Sequence, residues 1–140
     1  MVIFSNLANI LVDLTNSPYK LTKQVLDLGL HENAFTNIGY GILKACELLS
    51  HHRRRHAFQH IILISDGDAT VPHPSSQKYA LKQAAIAARK GITISCICTS
   101  GDSTDPELMR KISKIGKGNM YLIGTEKLAN TLQRETFLAA

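Results

Sequence analysis

An apolar run that ends abruptly in two carboxylates and a glycine occupies residues 61–70. Such a run is typical of a buried strand in an α/β sheet, and Asp66 and Asp68 would then lie just beyond its carboxyl end. Ligands of open α/β sheets collect at that edge, and carboxylate oxygens there suit a divalent cation. The run therefore predicts an α/β architecture with a candidate site where this strand ends.

Strand-like and helix-like patterns alternate along the chain. Pro18 and the pair Asp105-Pro106 mark helix starts, because proline suits the first helical turn and aspartate caps it. Gly29 and Gly91 mark helix ends. The first two strand patterns are separated by a gap of hairpin length, so we expect them to pair antiparallel. The other alternations predict β-α-β units, a mostly parallel sheet and helices on both of its faces. The predicted strands are 2–5, 10–14, 58–65, 92–98 and 119–123, and the predicted helices begin near Pro18, Thr36, Gln77, Asp105 and Thr125.

The composition predicts one soluble domain. The chain has 140 residues, of which 44% are hydrophobic, enough for one core and too few for two. We therefore expect residues 1–140 to form a single domain. No run approaches the roughly 20 apolar residues of a membrane helix, and the first residues lack the features of a signal peptide. Cys46, Cys96 and Cys98 are expected to be reduced core residues, which predicts a cytoplasmic protein with no membrane contact.

A basic run at residues 51–56 accounts for much of the net charge of +5. Cations stabilise the carboxyl end of a helix, so we interpret the run as a solvated helix end. No aromatic side chains alternate with it to stack on bases, and nucleic-acid binding is therefore not expected. His51, His52, His56 and His60 are assigned to the connector and the next strand rather than to a zinc site.

The residues after the strand are hard oxygen donors. Asp66 and Asp68 are carboxylates, and Ser65 and Thr70 add hydroxyl groups beside them. Magnesium prefers such oxygens but rarely takes all of its ligands from one loop, so a second loop must converge on the site. Thr36, at the start of a helix pattern, is the candidate from that loop. Spacing alone equally allows Thr36 to be a helix cap and Asp66 to be a turn residue.

Six segments in order resemble the von Willebrand factor A domain. They are Phe4-Ser5-Asn6, Leu14-Thr15, residues 36–42, residues 62–67, residues 91–94 and residues 118–121. The resemblance covers nearly the whole chain and implies a Rossmann-like three-layer α/β/α fold, with a mostly parallel sheet and one antiparallel edge strand. It also implies a protein-binding module with no catalytic residues. In that family a divalent cation binds at a metal-ion-dependent adhesion site, and an acidic residue of a partner completes its coordination.

The resemblance assigns the metal-site residues one by one. Thr36 matches the metal-coordinating threonine of the family, and Asp66 matches the aspartate that usually acts through water. Ser65, Gly67 and Asp68 would shape the loop, and Asp68 has no fixed counterpart. The principal ligands of the family form a D-x-S-x-S motif after its first strand, and this motif is absent here. We therefore expect Mg²⁺ to bind weakly at a remnant site.

The absent motif also predicts an incomplete domain, because Met1 stands where the second strand of the family begins. The missing strand would lie between the strand at 2–5 and the strand at 58–65, which would leave two apolar strand edges unpaired. We expect such a domain to be part of a larger protein or complex. Strand complementation by a partner, or a domain-swapped dimer, would cover these edges.

The same run, residues 61–70, also allows an interpretation of the chain as an enzyme. Residues 61–70 also resemble the D-x-D-x-T motif of the haloacid dehalogenase phosphatases, which implies Asp66 as nucleophile and Asp68 as general acid/base, with Mg²⁺. The segment 101–105 resembles the later acidic motif of that superfamily, and Thr99 or Ser100 could supply its hydroxyl group. This reading compresses the motifs into about 40 residues, lacks a clear lysine motif and leaves residues 1–57 without a role. The adhesion-type domain is therefore preferred.

Overall fold

A three-stranded parallel sheet and a separate two-stranded antiparallel sheet organise the fold. The computed structural model describes residues 1–28, 35–52, 57–99 and 104–139. Both the predicted α/β class and the mostly parallel pairing are confirmed, and the antiparallel pair forms a small sheet of its own. The elements in chain order are β1 (Val2–Phe4), β2 (Ala8–Ile10), α1 (Pro18–Asp27), α2 (Ile38–His51), β3 (Gln59–Ser65), α3 (Ser76–Arg89), β4 (Ile92–Thr99), α4 (Pro106–Ile115), β5 (Lys117–Ile123), a 3₁₀ turn (Thr125–Lys127) and α5 (Leu128–Ala139).

The core lies between one face of the parallel sheet and the helices α2, α3 and α4. β4 is the middle strand, with β3 and β5 parallel to it on either side. Small residues on α3 let this helix approach the sheet closely, as its alanine-rich sequence predicts. The fully buried side chains of this layer include Ile38, Ile42, Ala80, Ala84, Ile94, Cys96, Met109 and Ile112.

Capping residues define where three of the helices begin. Ser17 accepts a hydrogen bond from the backbone N–H of Lys20, and Pro18 follows it at the first helical position. Asp105 caps α4 as predicted, by accepting the N–H of Leu108 at 3.2 Å. The cap of α2 is Asn37, whereas the sequence allowed its neighbour Thr36 to be the helix cap. Two adjacent polar residues are equivalent in the sequence pattern, and only the backbone geometry distinguishes them.

The second strand differs from its prediction. The sequence predicts a strand at 10–14, whereas β2 is Ala8–Ile10 and pairs antiparallel with β1, with Phe4 opposite Ala8. Ala8 is 3% exposed, while Leu14 is largely exposed. The hairpin loop is therefore shorter than expected, and residues 11–14, including the apolar Leu11, Val12 and Leu14, lie outside the sheet. The predicted stop at Gly29 lies outside the described residues, and α1 ends at Asp27.

A buried carboxylate attaches α5 to the opposite face of the sheet. Glu135 is 1% exposed and accepts hydrogen bonds from Tyr121 Oη at 2.7 Å, from Asn119 Nδ2 at 3.0 Å and from Ser95 Oγ. His60 Nε2 lies 3.2 Å from the same carboxylate, although no hydrogen bond forms to this nitrogen within the described chain. Burial by itself raises the pKa of Glu135, but these polar neighbours together outweigh burial and lower it. α5 therefore forms the third layer.

The three cysteines are buried and unpaired, as their apolar surroundings predict. Burial, followed by the neighbouring Cys98, raises the pKa of Cys96 to about 12. Burial likewise raises the pKa of Cys46. These thiols are therefore protonated core groups.

Among the helices described for this chain, none combines the length and the apolar character that crossing a membrane requires.

Candidate functional site

The candidate site begins where β3 delivers Asp66 to the edge of the sheet. One carboxylate oxygen of Asp66 accepts the backbone N–H of Asp68 at 3.1 Å and lies 3.4 Å from the hydroxyl of Ser65. The Ser65 hydroxyl in turn accepts the N–H of Gly67 at 3.1 Å. Asp66 thus closes a tight turn with its own side chain, while the Asp68 side chain is exposed.

Gly67 allows this turn to pack directly on the start of α4. Its φ is +87°, and a Cβ placed there would lie 2.2 Å from the carbonyl oxygen of Asp105. The same contact brings the Asp105 N–H to the Asp66 carbonyl at 2.9 Å. The close backbone approach, which only glycine permits, holds the Asp66 loop against the cap of α4.

Thr36 is joined to the same loop through Thr70. The N–H of Thr36 donates to Thr70 Oγ1 at 2.7 Å, and the Thr36 carbonyl accepts the N–H of Thr70 at 3.0 Å. The next residue, Asn37, donates its N–H to the Ser5 carbonyl at 2.7 Å. Thr36 therefore stands between the end of β1 and the loop that follows β3. Thr70 and Thr36 are 34 positions apart in the chain. The sequence pattern therefore does not predict the hydrogen bond between them.

The carboxylates of Asp66 and Asp105 lie near the thiol of Cys98 at this edge of the sheet. Burial is the first cause that raises the pKa of the Cys98 thiol, and the carboxylates of Asp66 and Asp105 add to it. Asp105 uses both of its carboxylate oxygens within the protein, one for the N–H of Leu108 and the other for the amide of Gln77 at 3.0 Å. Asp105 is thus a helix cap whose side chain is already engaged, and among the described residues the half-buried Asp66 stays an acidic candidate for the site.

The donors at this edge suit Mg²⁺ in chemistry but not in number. Thr36 and Asp66 supply a hydroxyl and a carboxylate, both hard oxygen ligands. In the described ranges, no three His, Cys, Asp or Glu side chains form a group able to hold a metal ion. These two residues do not make a sufficient site by themselves.

The histidines do not form a shared site in the described part of the chain. His51 Nδ1 lies 2.7 Å from the Glu47 carbonyl, and His52 Nε2 lies 2.8 Å from Asp13. His60 instead faces Glu135. His56 lies outside the described residues. His51 and His52 thus lie at the end of α2, and His60 lies in β3 beside the buried Glu135.

The parts required by the phosphatase reading are not assembled in the described residues. Asp66 and Asp68 share one turn, in which the Asp66 side chain accepts the Asp68 N–H. Thr99 ends β4, and Asp105 caps α4. Residues 100–103, which that reading needs for its hydroxyl and acidic motifs, lie outside the described residues.

Comparison with known proteins identifies a family and a set of similar folds. The protein-family model of the von Willebrand factor type A domain matches residues 1–135 of the sequence. No curated protein sequence matches the chain significantly. The conserved hypothetical protein BatB from Bacteroides thetaiotaomicron superposes with a TM-score of 0.78 at 18% identity, covering 99% of this chain and 77% of that one.

Two further similar structures contain metal. Proximal thread matrix protein 1 from the mussel byssus, with a zinc-occupied MIDAS motif, superposes with a TM-score of 0.73 at 19% identity, over 94% of this chain and 33% of that one. The manganese-loaded TRAP protein of Plasmodium vivax gives 0.67 at 16% identity, over 89% and 52%. At these identities the similarity concerns the fold.

Proposed function

Because the chain belongs to the von Willebrand factor type A domain family, we propose that it is a protein-binding module whose recognition surface includes the Thr36 and Asp66 loops. The contact between Thr36 and Thr70 is the observation that supports this proposal most directly. It holds the amino-terminal end of α2 beside the loop after β3, so that side chains from two distant segments present one surface. The proposal describes an adhesion-type module without catalytic activity.

The metal site in this proposal is a remnant. Thr36 and Asp66 are its ligands, and Ser65, Gly67 and Asp68 shape the loop around them. A cation held by these two groups alone lacks most of its coordination, so Mg²⁺ would bind weakly until other oxygens are supplied. An acidic side chain of a partner is a source of such oxygens. The zinc-occupied and manganese-loaded structures of similar fold support a divalent cation as the kind of ion.

We expect Mg²⁺ to change the melting temperature of the chain by less than about 1 °C, because an ion stabilises a fold appreciably only when its concentration exceeds its dissociation constant. A peptide with an apolar strand followed by D-x-S-x-S should raise the melting temperature, and Mg²⁺ should increase that effect. Differential scanning fluorimetry with and without EDTA measures both.

Two substitutions make this measurement specific. Thr36→Val and Asp66→Asn should abolish the Mg²⁺ increment in the presence of the peptide, while Lys78→Gln, at an exposed position of α3, should not. A shift of several degrees with Mg²⁺ and the chain alone would contradict the remnant site. Hydrolysis of a generic phosphate ester that is lost in Asp66→Asn would instead support the phosphatase reading.

The proposed contacts with a partner extend beyond the metal site. Membership of a larger assembly, a strand supplied by a partner, or a strand exchanged in a domain-swapped dimer would each cover strand edges that the two sheets leave unpaired in the described chain. We also propose a cytoplasmic setting, supported by the three buried, unpaired thiols. Fractionation of cells that express the tagged protein tests the location.

A further inference from the structure

The surplus positive charge of the chain is concentrated in α3, in α4 and in the turn after each helix. Residues 76–117 contain eight Lys or Arg residues and three Asp or Glu residues, a surplus of five that equals the net charge of the whole chain. All eight cationic side chains are exposed, and we call them the basic surface. They are Lys78, Lys82, Arg89, Lys90, Arg110, Lys111, Lys114 and Lys117.

The helices α3 and α4 lie side by side and run in the same direction. Their starts are joined, because the side chain of Gln77 donates to Asp105 at 3.0 Å. Their ends both meet the start of β4: Gly91 directly precedes this strand, and the N–H of Ile94 donates to the Gly116 carbonyl at 3.0 Å. Because the inner sides of both helices cover the core, their outer sides form one continuous surface.

The cations form a row on each helix. Lys78, Lys82 and Arg89 are separated by four and seven residues, a spacing that places them on one side of α3. At 1.5 Å per residue, this row is about 16 Å long. The exposed cations of α4 are Arg110, Lys111 and Lys114. Packed helices lie roughly 8–10 Å apart, so one segment of another molecule can contact both rows.

Helix stability accounts for only part of this charge. Cations stabilise the carboxyl end of a helix, which explains Arg89 and Lys114 in the last turns. Lys78 lies instead in the first turn of α3, where the helix dipole favours acidic side chains and where α3 has none. Lys78 and Lys82 are also like charges four residues apart, an arrangement that destabilises a helix. The stability of α3 therefore does not explain these two lysines.

Acidic groups of the protein itself neutralise little of the basic surface. Arg110 and Lys111 share one carboxylate, that of Glu107, at 3.9 and 3.8 Å. Within the described part of the chain, the other six cations form no ion pair. The sequence of α3 contains no Asp or Glu. A surface of one sign without internal partners is complementary to an acidic region of another molecule.

The composition of this surface suits carboxylates better than a nucleic acid. Single-stranded nucleic acids stack their bases on exposed aromatic side chains. Tyr79 is the aromatic residue of these two helices, and its ring packs against α2, where a Cβ at Gly39 would lie 2.3 Å from Tyr79 Cδ1. Six of the eight cations are lysines, whereas arginine is the residue that binds phosphate groups bidentately. An acidic protein segment needs neither stacking nor bidentate contacts.

We propose that the outer side of α3 and α4 is a second interaction surface, which binds an acidic segment of a partner protein. The segment carries Asp or Glu side chains over about 16 Å, the length of the row on α3. This inference goes beyond the proposed metal-site function, because none of the eight cations is a ligand of that site. Charge provides most of the attraction, so salt weakens binding as the screening length falls below about 10 Å.

The test uses the full chain and a fluorescent peptide of about twelve residues, in which Glu and Ser alternate. We expect anisotropy to show binding that weakens at least ~10-fold between about 50 and 300 mM NaCl. Lys78→Glu combined with Lys82→Glu should weaken binding by at least ~10-fold. Lys20→Glu combined with Lys23→Glu is the matched control, since it makes the same change in net charge at exposed lysines of α1. It should change binding by less than about threefold.

Two measurements separate binding at this surface from an effect on folding. Lys78→Glu adds an acid to the first turn of α3, which the helix dipole favours, so the melting temperature of the double variant should not fall. Carbodiimide cross-linking followed by mass spectrometry should join peptide carboxylates to Lys78, Lys82 or Lys114. Cross-links confined to Lys20 and Lys23 would overturn the inference.

The remaining controls concern the peptide and the metal site. A peptide with Gln in place of Glu should not bind. Binding should be the same with Mg²⁺ or EDTA and in Asp66→Asn, so its failure is separable from failure of the metal-dependent function. Equal losses in the two double variants would show attraction by net charge alone and overturn the inference. Tighter binding of single-stranded DNA or of anionic lipid vesicles than of the peptide would overturn it as well.

Discussion

Gly67→Ala is expected to lower the free energy of unfolding by about 2–5 kcal/mol, the sum of a left-handed backbone cost and an overpacking cost. The backbone cost arises because φ at Gly67 is +87°. The packing cost arises because the new Cβ would meet the Asp105 carbonyl oxygen at 2.2 Å. This oxygen belongs to the backbone, so no side-chain rotation can relieve the clash. Urea denaturation followed by circular dichroism measures the loss.

Gly91→Ala is the matched control for this prediction. Gly91 also has a positive φ, +78°, but a Cβ there meets no atom within 4 Å. Its loss should be limited to the backbone cost of roughly 1–2 kcal/mol. If the two variants lose equal stability, the contact between Gly67 and Asp105 does not constrain the fold. The loss in Gly67→Ala should also increase hydrogen exchange at the start of α4.

Glu135→Gln is expected to destabilise the protein by about 2–4 kcal/mol at neutral pH, because an amide cannot replace a carboxylate that accepts several buried donors. The new NH₂ group would face donors such as Asn119 Nδ2 or Tyr121 Oη, which lie 3.0 and 2.7 Å from the carboxylate. Thermal unfolding at pH 7 measures the loss. Hydrogen exchange should locate it in α5, which Glu135 joins to the sheet. Glu107→Gln, at an exposed side chain with long ion-pair contacts, should change stability by less than about 0.5 kcal/mol.

The same variant should change how stability depends on pH. The folded pKa of Glu135 is lower than its usual 4.5, because hydrogen bonds to the carboxylate outweigh the effect of burial. A lowered carboxyl pKa contributes stability above the unfolded pKa, and this contribution is lost as pH falls through the folded pKa. The gap in melting temperature between the wild type and Glu135→Gln should therefore narrow below pH 4.5. A constant gap between pH 7 and pH 3 would contradict the role assigned to the carboxylate.

The sequence predicts helix starts best where the relevant chemistry is local. Pro18 and Asp105 each determine a helix start through contacts within three residues, and both predictions are confirmed. The hairpin was less predictable, because apolar side chains continue on both sides of Ile10, from Ala8 to Leu14, with only Asn9 and Asp13 between them. The buried position of Ala8 opposite Phe4 is a tertiary outcome that decides which three residues form β2. Propensity alone does not resolve such short strands.

Contacts between residues that are distant in the sequence could not be predicted from the sequence pattern. A glutamate in a helix is normally exposed, and nothing near Glu135 indicates otherwise. Its burial depends on Ser95, Asn119 and Tyr121, which come from two different strands. Ser95, a polar residue within an apolar strand, is a signal that the sequence does offer. At the site, the sequence offered Thr36 and Asp66 as candidates, whereas the clamp through Thr70 required the fold.

The buried cysteines allow opening of the fold to be measured through the rate at which their thiols are alkylated. A thiol reacts with alkylating reagents as the thiolate, and the raised pKa of Cys96 leaves almost none of that form while the fold is closed. Opening of the core exposes the sulfur and restores ordinary reactivity. The rate of alkylation under native conditions therefore counts opening events without any added probe. Cys98, under the Asp66 loop, and Cys46, on α2, lie at different places in the core, so three labelling rates distinguish local opening from global unfolding.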